Sequence, residues 1–190
     1  YCSKEGSFEE YGVKPSQGAR VDLDKLRDEL FAGKRVDEIT SENPIMFHQY
    51  GRTMERLEII AQRKKWRNFM TEGVWLWGET GKGKSDEAFK DYHPDTTYIL
   101  SDDNGWWDGY KQQENVVIND FRGFLKYEYL LQMVDKHPFN VNMRGRETMP
   151  FISKKVIITS SLHPEDVYCR RNEKDSLKQF YRRFKVIEMK

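Results

Sequence analysis

Apolar residues in the first third of the chain recur at the spacing of helical faces. A helix is predicted after Asp22, with leucines along one face, and Gly33 ends it. Residues 36–40 indicate a short second helix, and Pro44 opens a longer third helix that carries an apolar stripe. Residues 21–66 are therefore predicted to form a small all-α unit.

Beyond residue 66 the pattern changes to short apolar segments that alternate with helical ones. The predicted strands are residues 74–77, 97–100, 115–119, 139–143, 155–159 and 184–188. The predicted helices are residues 84–92, 125–135 and 174–183. This alternation is typical of an α/β fold, so residues 67–190 are predicted to form a central sheet flanked by helices.

Composition narrows the classes of function. The 190 residues suffice for one domain and a smaller unit, and 14% aromatic content favours a packed core over disorder. Although 33% of the residues are charged, the net charge is only +1, so contact with nucleic acid has to come from a local basic patch. Cys2 and Cys169 lack metal-site spacing and fit a reducing compartment. No apolar run reaches the roughly 20 residues of a membrane span, so no membrane partner is expected.

Residues 78–85 read Gly-Glu-Thr-Gly-Lys-Gly-Lys-Ser, the pattern of a phosphate-binding loop between a predicted strand and a predicted helix. In such loops backbone N–H groups turn toward the phosphates, the lysine reaches the β- and γ-phosphates, and the hydroxyl binds Mg²⁺. The alternative is a glycine-rich turn entering a helix, but the flanking elements favour nucleotide binding. The predicted nucleotide-binding residues are Gly78, Gly81, Lys82, Gly83, Lys84 and Ser85, with Ser85 also at the metal.

Polar side chains end two further predicted strands. Asn119 and Asp120 follow an apolar run, and a carboxylate at this point is expected to position Mg²⁺ or water beside the phosphate loop. A second run ends in the hydroxyls of residues 159–161, which can sense the γ-phosphate or orient the attacking water. The alternatives are a solvated aspartate at a turn and a serine-rich turn, each of them purely structural.

Two basic clusters are candidates for contact with phosphates. Arg182 and Arg183 can reach the nucleotide of a neighbouring subunit as an arginine finger, or form a solvated basic helix face. Arg144 and Arg146 lie at a predicted hairpin tip, with Lys154 shortly after it. These three are predicted to grip a phosphate backbone, and the alternative is a charged surface turn.

Taken in this order, the motifs resemble those of the replication initiators (Rep) of circular single-stranded DNA viruses, closest to the circovirus type. The resemblance covers nearly all of the chain. Its most specific stretches are residues 1–6, 78–85, 106–110, 116–121, 156–161 and 181–183.

The resemblance implies three segments. Residues 1–20 would hold the end of an HUH endonuclease domain and a linker, residues 21–66 a helical oligomerisation domain, and residues 67–190 an AAA+-like superfamily 3 helicase ATPase domain. It implies a hexameric ring on single-stranded DNA in the host cell nucleus, with ATP and Mg²⁺ as cofactors. Tyr1 aligns with the nicking nucleophile and Lys4 with its motif partner, whereas the endonuclease metal ligands would precede residue 1, so nicking by this chain is not expected.

The same alignment assigns catalytic roles to Lys84, Asp120, Asn119, Ser161, Arg182 and Arg183, with Ser85 and Asp120 at the metal. Two positions depart from the family pattern. Asn119 stands where a first acid is usual, and Ser161 stands where an asparagine is usual. The expected function is an ATP-dependent DNA helicase of rolling-circle replication. The alternatives are a nucleotide-dependent DNA-binding ring without efficient hydrolysis and a P-loop kinase.

Overall fold

The computed structural model describes residues 21–101, 105–170 and 176–190, together with Gly12. The chain divides into two compact units, Tyr1–Glu58 and Ile59–Lys190. The boundaries predicted from sequence, after residues 20 and 66, stay a prediction. No helix of the described residues is long and apolar enough to cross a membrane.

The described part of the first unit is all-α, as predicted. It contains α1 (Val21–Phe31), α2 (Val36–Glu42) and most of α3 (Pro44–Arg63). Their apolar faces enclose a small core of Leu26, Leu30, Val36, Ile39 and Met54. The N–H of Arg35 donates to the Glu38 carboxylate at 2.8 Å, which satisfies a free donor at the start of α2.

The second unit is built on a five-stranded parallel sheet, which confirms the predicted α/β fold. The strands of the unit are β1 (Glu72–Trp77), β2 (Thr97–Ile99), β3 (Asn115–Ile118), β4 (Asn140–Val141), β5 (Met149–Pro150), β6 (Lys155–Ser160) and β7 (Phe184–Glu188). The sheet order is β2-β3-β6-β1-β7, and β4 and β5 form a separate antiparallel pair. The chain leaves β1 toward the β2 end of the sheet and leaves β6 toward the β7 end. The adjacent strands β1 and β6 therefore form a topological switch point, where parallel sheets commonly bind ligands.

Both faces of the sheet are covered by apolar side chains. Successive residues of a strand point to opposite faces, so a run of consecutive apolar residues supplies both of them. On one face Trp75 is fully buried and makes edge contacts with the rings of Phe121, Phe180 and Phe184. On the other face Val74 and its neighbours pack beneath the helix that follows the phosphate loop. The alternation along β1 therefore fixes which face each strand residue serves.

The helices of the second unit are shorter than the sequence pattern predicts. They are α4 (Lys84–Ala88), α5 (Tyr127–Met133), α6 (Pro164–Val167) and α7 (Lys178–Tyr181). The prediction of a helix over residues 84–92 is wrong beyond Ala88, because the chain turns toward Pro94 and the start of β2. α6, which begins at a proline, was not predicted.

Arg67, a buried cation, ties the segment before β1 to the end of α5. Only 1% of its surface is exposed. Its guanidinium donates to the carbonyl oxygens of His137 at 2.7 Å and Gln132 at 2.5 Å, and also to that of Met133. Burial lowers the pKa of Arg67 to about 10, so the group stays charged at neutral pH. The cation thus lies at the carboxyl end of α5, where helix carbonyls are exposed and a positive charge is favourable.

Replacing Arg67 by Met is expected to lower the free energy of unfolding by about 3–5 kcal/mol, because three carbonyl oxygens at and after the end of α5, that of Met133 buried, lose a charged donor at once. Chemical denaturation measures the change. The control is Arg122→Met at an exposed position, for which a change within about 0.5 kcal/mol is expected. Equal losses in both variants would contradict the role given to Arg67.

Candidate nucleotide site

The phosphate loop, residues 78–85, leaves the carboxyl end of β1 and enters α4. β6 pairs along the whole length of β1, and β3 pairs with β6 on its far side. The residues that follow these three strands therefore meet at one edge of the sheet, called here the carboxyl edge. The sequence-predicted groups at positions 84, 85, 119, 120 and 161 all belong to this edge.

The first glycine of the loop is required by a close approach to the last strand. Gly78 has φ 145°, and a Cβ at this position would lie 2.6 Å from the carbonyl oxygen of Met189. Met189 follows β7, and its own N–H donates to the carbonyl oxygen of Trp77 at 2.8 Å. Any larger residue would push the loop away from the sheet or separate β7 from β1.

Lys84 points back into its own loop. The ammonium nitrogen donates to the carbonyl oxygens of Gly78 at 2.8 Å and Glu79 at 2.6 Å, and only 8% of the residue is exposed. The side chain is thus held under the loop with its charge directed at the space the loop encloses. Phosphate oxygens placed there would be stronger acceptors than two carbonyls, because they carry negative charge.

Asn119 joins the phosphate loop to β6. Its side-chain oxygen accepts hydrogen bonds from the hydroxyls of Ser85 at 2.9 Å and Thr159 at 2.8 Å. The Thr159 hydroxyl also accepts the N–H of Asp120 at 2.9 Å, so its own proton is available for Asn119. One neutral amide therefore fixes the orientation of the hydroxyl that is predicted to bind the metal.

Asp120 lies at the mouth of the site in an unusual backbone conformation. Its φ is 52°, a left-handed value that few residues other than glycine adopt, and its carboxylate is exposed. Bonds to β6 hold this turn, since the N–H of Phe121 donates to the Thr159 carbonyl at 2.8 Å. Strain stabilised in this way at a strand end is typical of functional sites.

The hydroxyls at the end of β6 have separate tasks. Ser160 is fully buried, and its hydroxyl donates to the Phe121 carbonyl at 2.7 Å. Ser161 is the next residue along and is partly exposed at the carboxyl edge. Thr159 was predicted only as one of three hydroxyls that could sense the γ-phosphate, and its hydrogen bonds to Asn119 and Asp120 were not predicted.

Residues 74–162 match the family described as RNA helicase. The replication-associated protein of goose circovirus is 35% identical over 170 residues, which are 88% of this chain and 56% of that protein. That of porcine circovirus 2 is 35% identical over 169 residues, 88% of this chain and 54% of that protein. That of human associated cyclovirus 1 is 33% identical over 195 residues, 98% of this chain and 67% of that protein.

The chain belongs to the family of viral replication-associated proteins. It spans little more than half the length of the goose and porcine circovirus relatives. Among solved structures, the C-terminal region of NrS-1 aligns over 93% of this chain and 39% of that chain, at 17% identity and a TM-score of 0.40. A match this weak carries no argument about function.

Arg182 and Arg183, the two candidates for an arginine finger in this replication-associated protein, differ in their surroundings. Arg183 donates to the Asp135 carboxylate at 2.7 Å and to the Gln179 carbonyl at 3.2 Å. Burial acts to raise the pKa of Asp135, but the hydrogen bond and charge of Arg183 contribute to holding it below its usual value. Arg182 is exposed. Both precede β7 and so lie at the opposite end of the strands, the amino edge.

The three predicted DNA-binding residues lie away from the nucleotide site. The loop between β4 and β5 carries Arg144 and Arg146, and the guanidinium of Arg144 is 3.6 Å from the Asp108 carboxylate. Lys154 precedes β6 at the amino edge, where it donates to Glu114 at 2.8 Å. Tyr1, the predicted nicking residue, lies outside the described residues.

The groups beside the phosphate loop fit a hard cation. A hydroxyl from Ser85 and a carboxylate from Asp120 are oxygen donors, which Mg²⁺ prefers, and the Asn119 amide oxygen holds the Ser85 hydroxyl. Within the ranges that the structure describes, no cluster of three or more His, Cys, Asp or Glu side chains could hold a metal ion. With only Ser85 and Asp120 as candidate protein ligands at the loop, magnesium bound here would take most of its ligands from phosphates and water.

Proposed function

We propose that this chain is the ATP-dependent helicase part of a viral replication initiator, a motor that translocates on single-stranded DNA as a ring. The observation that carries the proposal is the set of side chains at the carboxyl edge. Lys84, Ser85, Asn119 and Asp120 come together from separate segments around a phosphate loop. The match to the RNA helicase family and the kinship with replication-associated proteins support the same assignment.

Hydrolysis would depend on how the side chains position the phosphates and on how they stabilise the charge of the transition state. Lys84 would exchange its two carbonyl partners for phosphate oxygens, so that its charge stabilises the negative charge that spreads over the transferred group. Ser85 and Asp120 would hold Mg²⁺, which neutralises the phosphates when it is bound. Asn119 would keep the Ser85 hydroxyl turned toward the metal, since it holds that hydroxyl at 2.9 Å.

The attacking water would lie on the side of Asp120 and Ser161. Asp120 is exposed at the mouth of the site and is the nearest acid in sequence to Asn119. Its carboxylate is available to orient a water or accept its proton. Ser161, one residue beyond β6, would contact the γ-phosphate through its hydroxyl or through water.

A neighbouring subunit would complete each site. Residues 182 and 183 lie beside the start of β1, because the N–H of Gly73 donates to the Arg183 carbonyl at 3.3 Å. β1 has six residues. A strand of that length separates its two ends by roughly 17–20 Å, so neither arginine reaches the phosphate loop of its own chain. An arginine finger from this segment would thus act between subunits, in a hexamer with Arg144 and Arg146 directed at DNA.

The test combines phosphate release with the mass in solution. The expected result is ATP turnover that rises on adding single-stranded DNA, together with a species near six chains in the presence of nucleotide. A P-loop kinase would instead respond to a small acceptor such as a nucleoside and would turn over as a monomer. Turnover by a monomer with no response to DNA would contradict the helicase proposal.

One observation favours a second candidate, a DNA-binding ring that uses nucleotide only for assembly. Asn119 brings no charge to the metal side of the loop, and its amide is engaged by Ser85 and Thr159. A neutral residue at this point would weaken metal binding compared with a carboxylate. Phosphate release by the assembled protein, measured over many turnovers, would exclude this candidate.

Variants of Asn119 test its role directly. Asn119→Leu removes the acceptor for both hydroxyls at similar size, and turnover is expected to fall about 10- to 100-fold. Asn119→Asp keeps an acceptor in place and adds a charge, so half-maximal activity is expected at a lower Mg²⁺ concentration. Magnesium titrations of both variants measure this. Identical Mg²⁺ dependence in the natural protein and both variants would remove Asn119 from the metal site.

A further inference from the structure

A small cavity lies between the end of α3 and the base of the β4–β5 hairpin, at a distance from the nucleotide site. Its volume is about 250 Å³, and Arg63, Lys65, Trp66, Phe139 and Thr148 are among its lining residues. Residues 63 and 65–67, which line the cavity, come shortly before β1, whereas the phosphate loop comes directly after it. The cavity therefore lies toward the amino edge of the sheet and the phosphate loop at the carboxyl edge. A space of this size accepts a single flat ring system.

Trp66 presents an apolar surface to solvent at this cavity. Its exposed fraction is 66%, which is high for a tryptophan in a folded domain. The next residue, Arg67, is 1% exposed and anchored by carbonyls at the end of α5, so the backbone beside Trp66 is fixed. Because this backbone is already fixed, binding through Trp66 costs less conformational entropy than binding through a mobile segment.

The charge around the cavity favours an anionic partner. Of the ten residues that the structure describes as lining it, three are Arg or Lys and none is Asp or Glu, and one of the three, Arg67, already donates to carbonyls at the end of α5. The nearby acid Glu147 forms an ion pair with Arg63 and thereby joins the end of α3 to the hairpin loop. A flat ring on Trp66 and anionic groups on the cations match the chemistry of a nucleotide unit in a single strand.

We propose that this cavity, the Trp66 cavity, binds one base of a single-stranded nucleic acid. The base stacks on Trp66, and the flanking phosphates lie against Arg63 and Lys65. The proposal takes its ligand from the proposed function but assigns it to a site other than the hairpin tip with Arg144 and Arg146. The strand would then be held at the base of the hairpin as well as at its tip.

The test measures the affinity for a fluorescent oligothymidylate by anisotropy, at several salt concentrations and with the full chain. Trp66→Ala is expected to weaken binding roughly 5- to 150-fold, the range found for loss of one base–aromatic stack. Trp66→Phe keeps an aromatic face and is expected to recover most of the affinity. Lys65→Ala is expected to reduce the slope of log affinity against log salt by about 0.7, the value for one phosphate contact.

The matched control is Tyr92→Ala, which removes another exposed aromatic side chain from outside the cavity and is expected to leave binding unchanged. If the natural protein binds the oligonucleotide and Trp66→Ala binds it equally, this site is wrong and the proposed function stands. If the natural protein binds no single strand, the proposed function itself fails. If Trp66→Ala lowers the mass of the assembly and Lys65→Ala leaves the salt slope unchanged, Trp66 is a subunit contact and the proposal is overturned.

Discussion

Lys84→Ala is expected to reduce ATP turnover by at least about 10³-fold, because the variant removes the ammonium that is held beneath the phosphate loop. The side chain is buried and already aimed into the loop, where it holds two carbonyls at 2.8 and 2.6 Å. An alanine leaves those carbonyls facing the phosphates without an intervening positive charge. Both nucleotide binding and the transition state therefore lose stabilisation.

Phosphate release under saturating ATP and Mg²⁺ measures this effect, and a melting temperature shows whether the variant is folded. Lys90→Ala is the matched control, since Lys90 is an exposed lysine shortly after α4 and outside the loop. We expect turnover of the control within about twofold of the natural protein. If Lys84→Ala keeps a comparable rate, residues 78–85 are not a catalytic phosphate loop.

The elements that could be predicted from sequence are those fixed by local patterns. β7 (Phe184–Glu188) was predicted at its observed bounds, and β1, β3 and β6 to within two residues, because buried strands of a parallel sheet appear as short apolar runs. The glycine turn at residues 78–85 was predicted because its glycines are imposed by backbone geometry, as the left-handed φ values of Gly81 (87°) and Gly83 (72°) show. The local sequence carries that information by itself.

The parts that escaped prediction depend on partners far apart in the chain. Asn119 and Thr159 are 40 residues apart and meet only because β3 and β6 are neighbours. The same holds for Arg67, whose carbonyl partners lie 65 to 70 residues further on. The sequence around a charged residue that precedes a strand does not show that its side chain will donate to the carbonyls at the end of a distant helix. The short length of α4 likewise reflects the connection to β2 more than helix propensity.

The structure separates the two arginines that the sequence leaves equivalent, and their variants are expected to differ in kind. Arg183 has a partner in its own chain, Asp135, and both side chains are only 20% exposed. Arg183→Ala is expected to lower the free energy of unfolding by about 1–2 kcal/mol with modest loss of turnover. Because the pKa of Asp135 is lowered in the folded state, the stabilisation it provides is present above its unfolded pKa and is lost as the pH falls through the folded pKa.

Arg182→Ala is expected to leave stability unchanged and to reduce turnover about 10³-fold, the lower end of the effect of an arginine finger. Arg182 is exposed and lies at the amino edge, and its proposed target is the phosphate loop of another subunit. A mixture of Arg182→Ala with Lys84→Ala tests this more sharply than either variant alone. In an equal mixture about a quarter of the subunit interfaces would combine an intact lysine with an intact arginine.

Mixed rings should therefore regain activity that neither variant has by itself, up to about a quarter of the natural rate if the sites act independently. Phosphate release after the two variants are mixed and reassembled measures the recovery, and mixing Lys84→Ala with itself provides the baseline. An arginine that acts within its own chain would give no recovery, since every Arg182→Ala subunit would stay inactive. Full activity of Arg182→Ala alone would remove this residue from the chemistry and leave the finger to another segment.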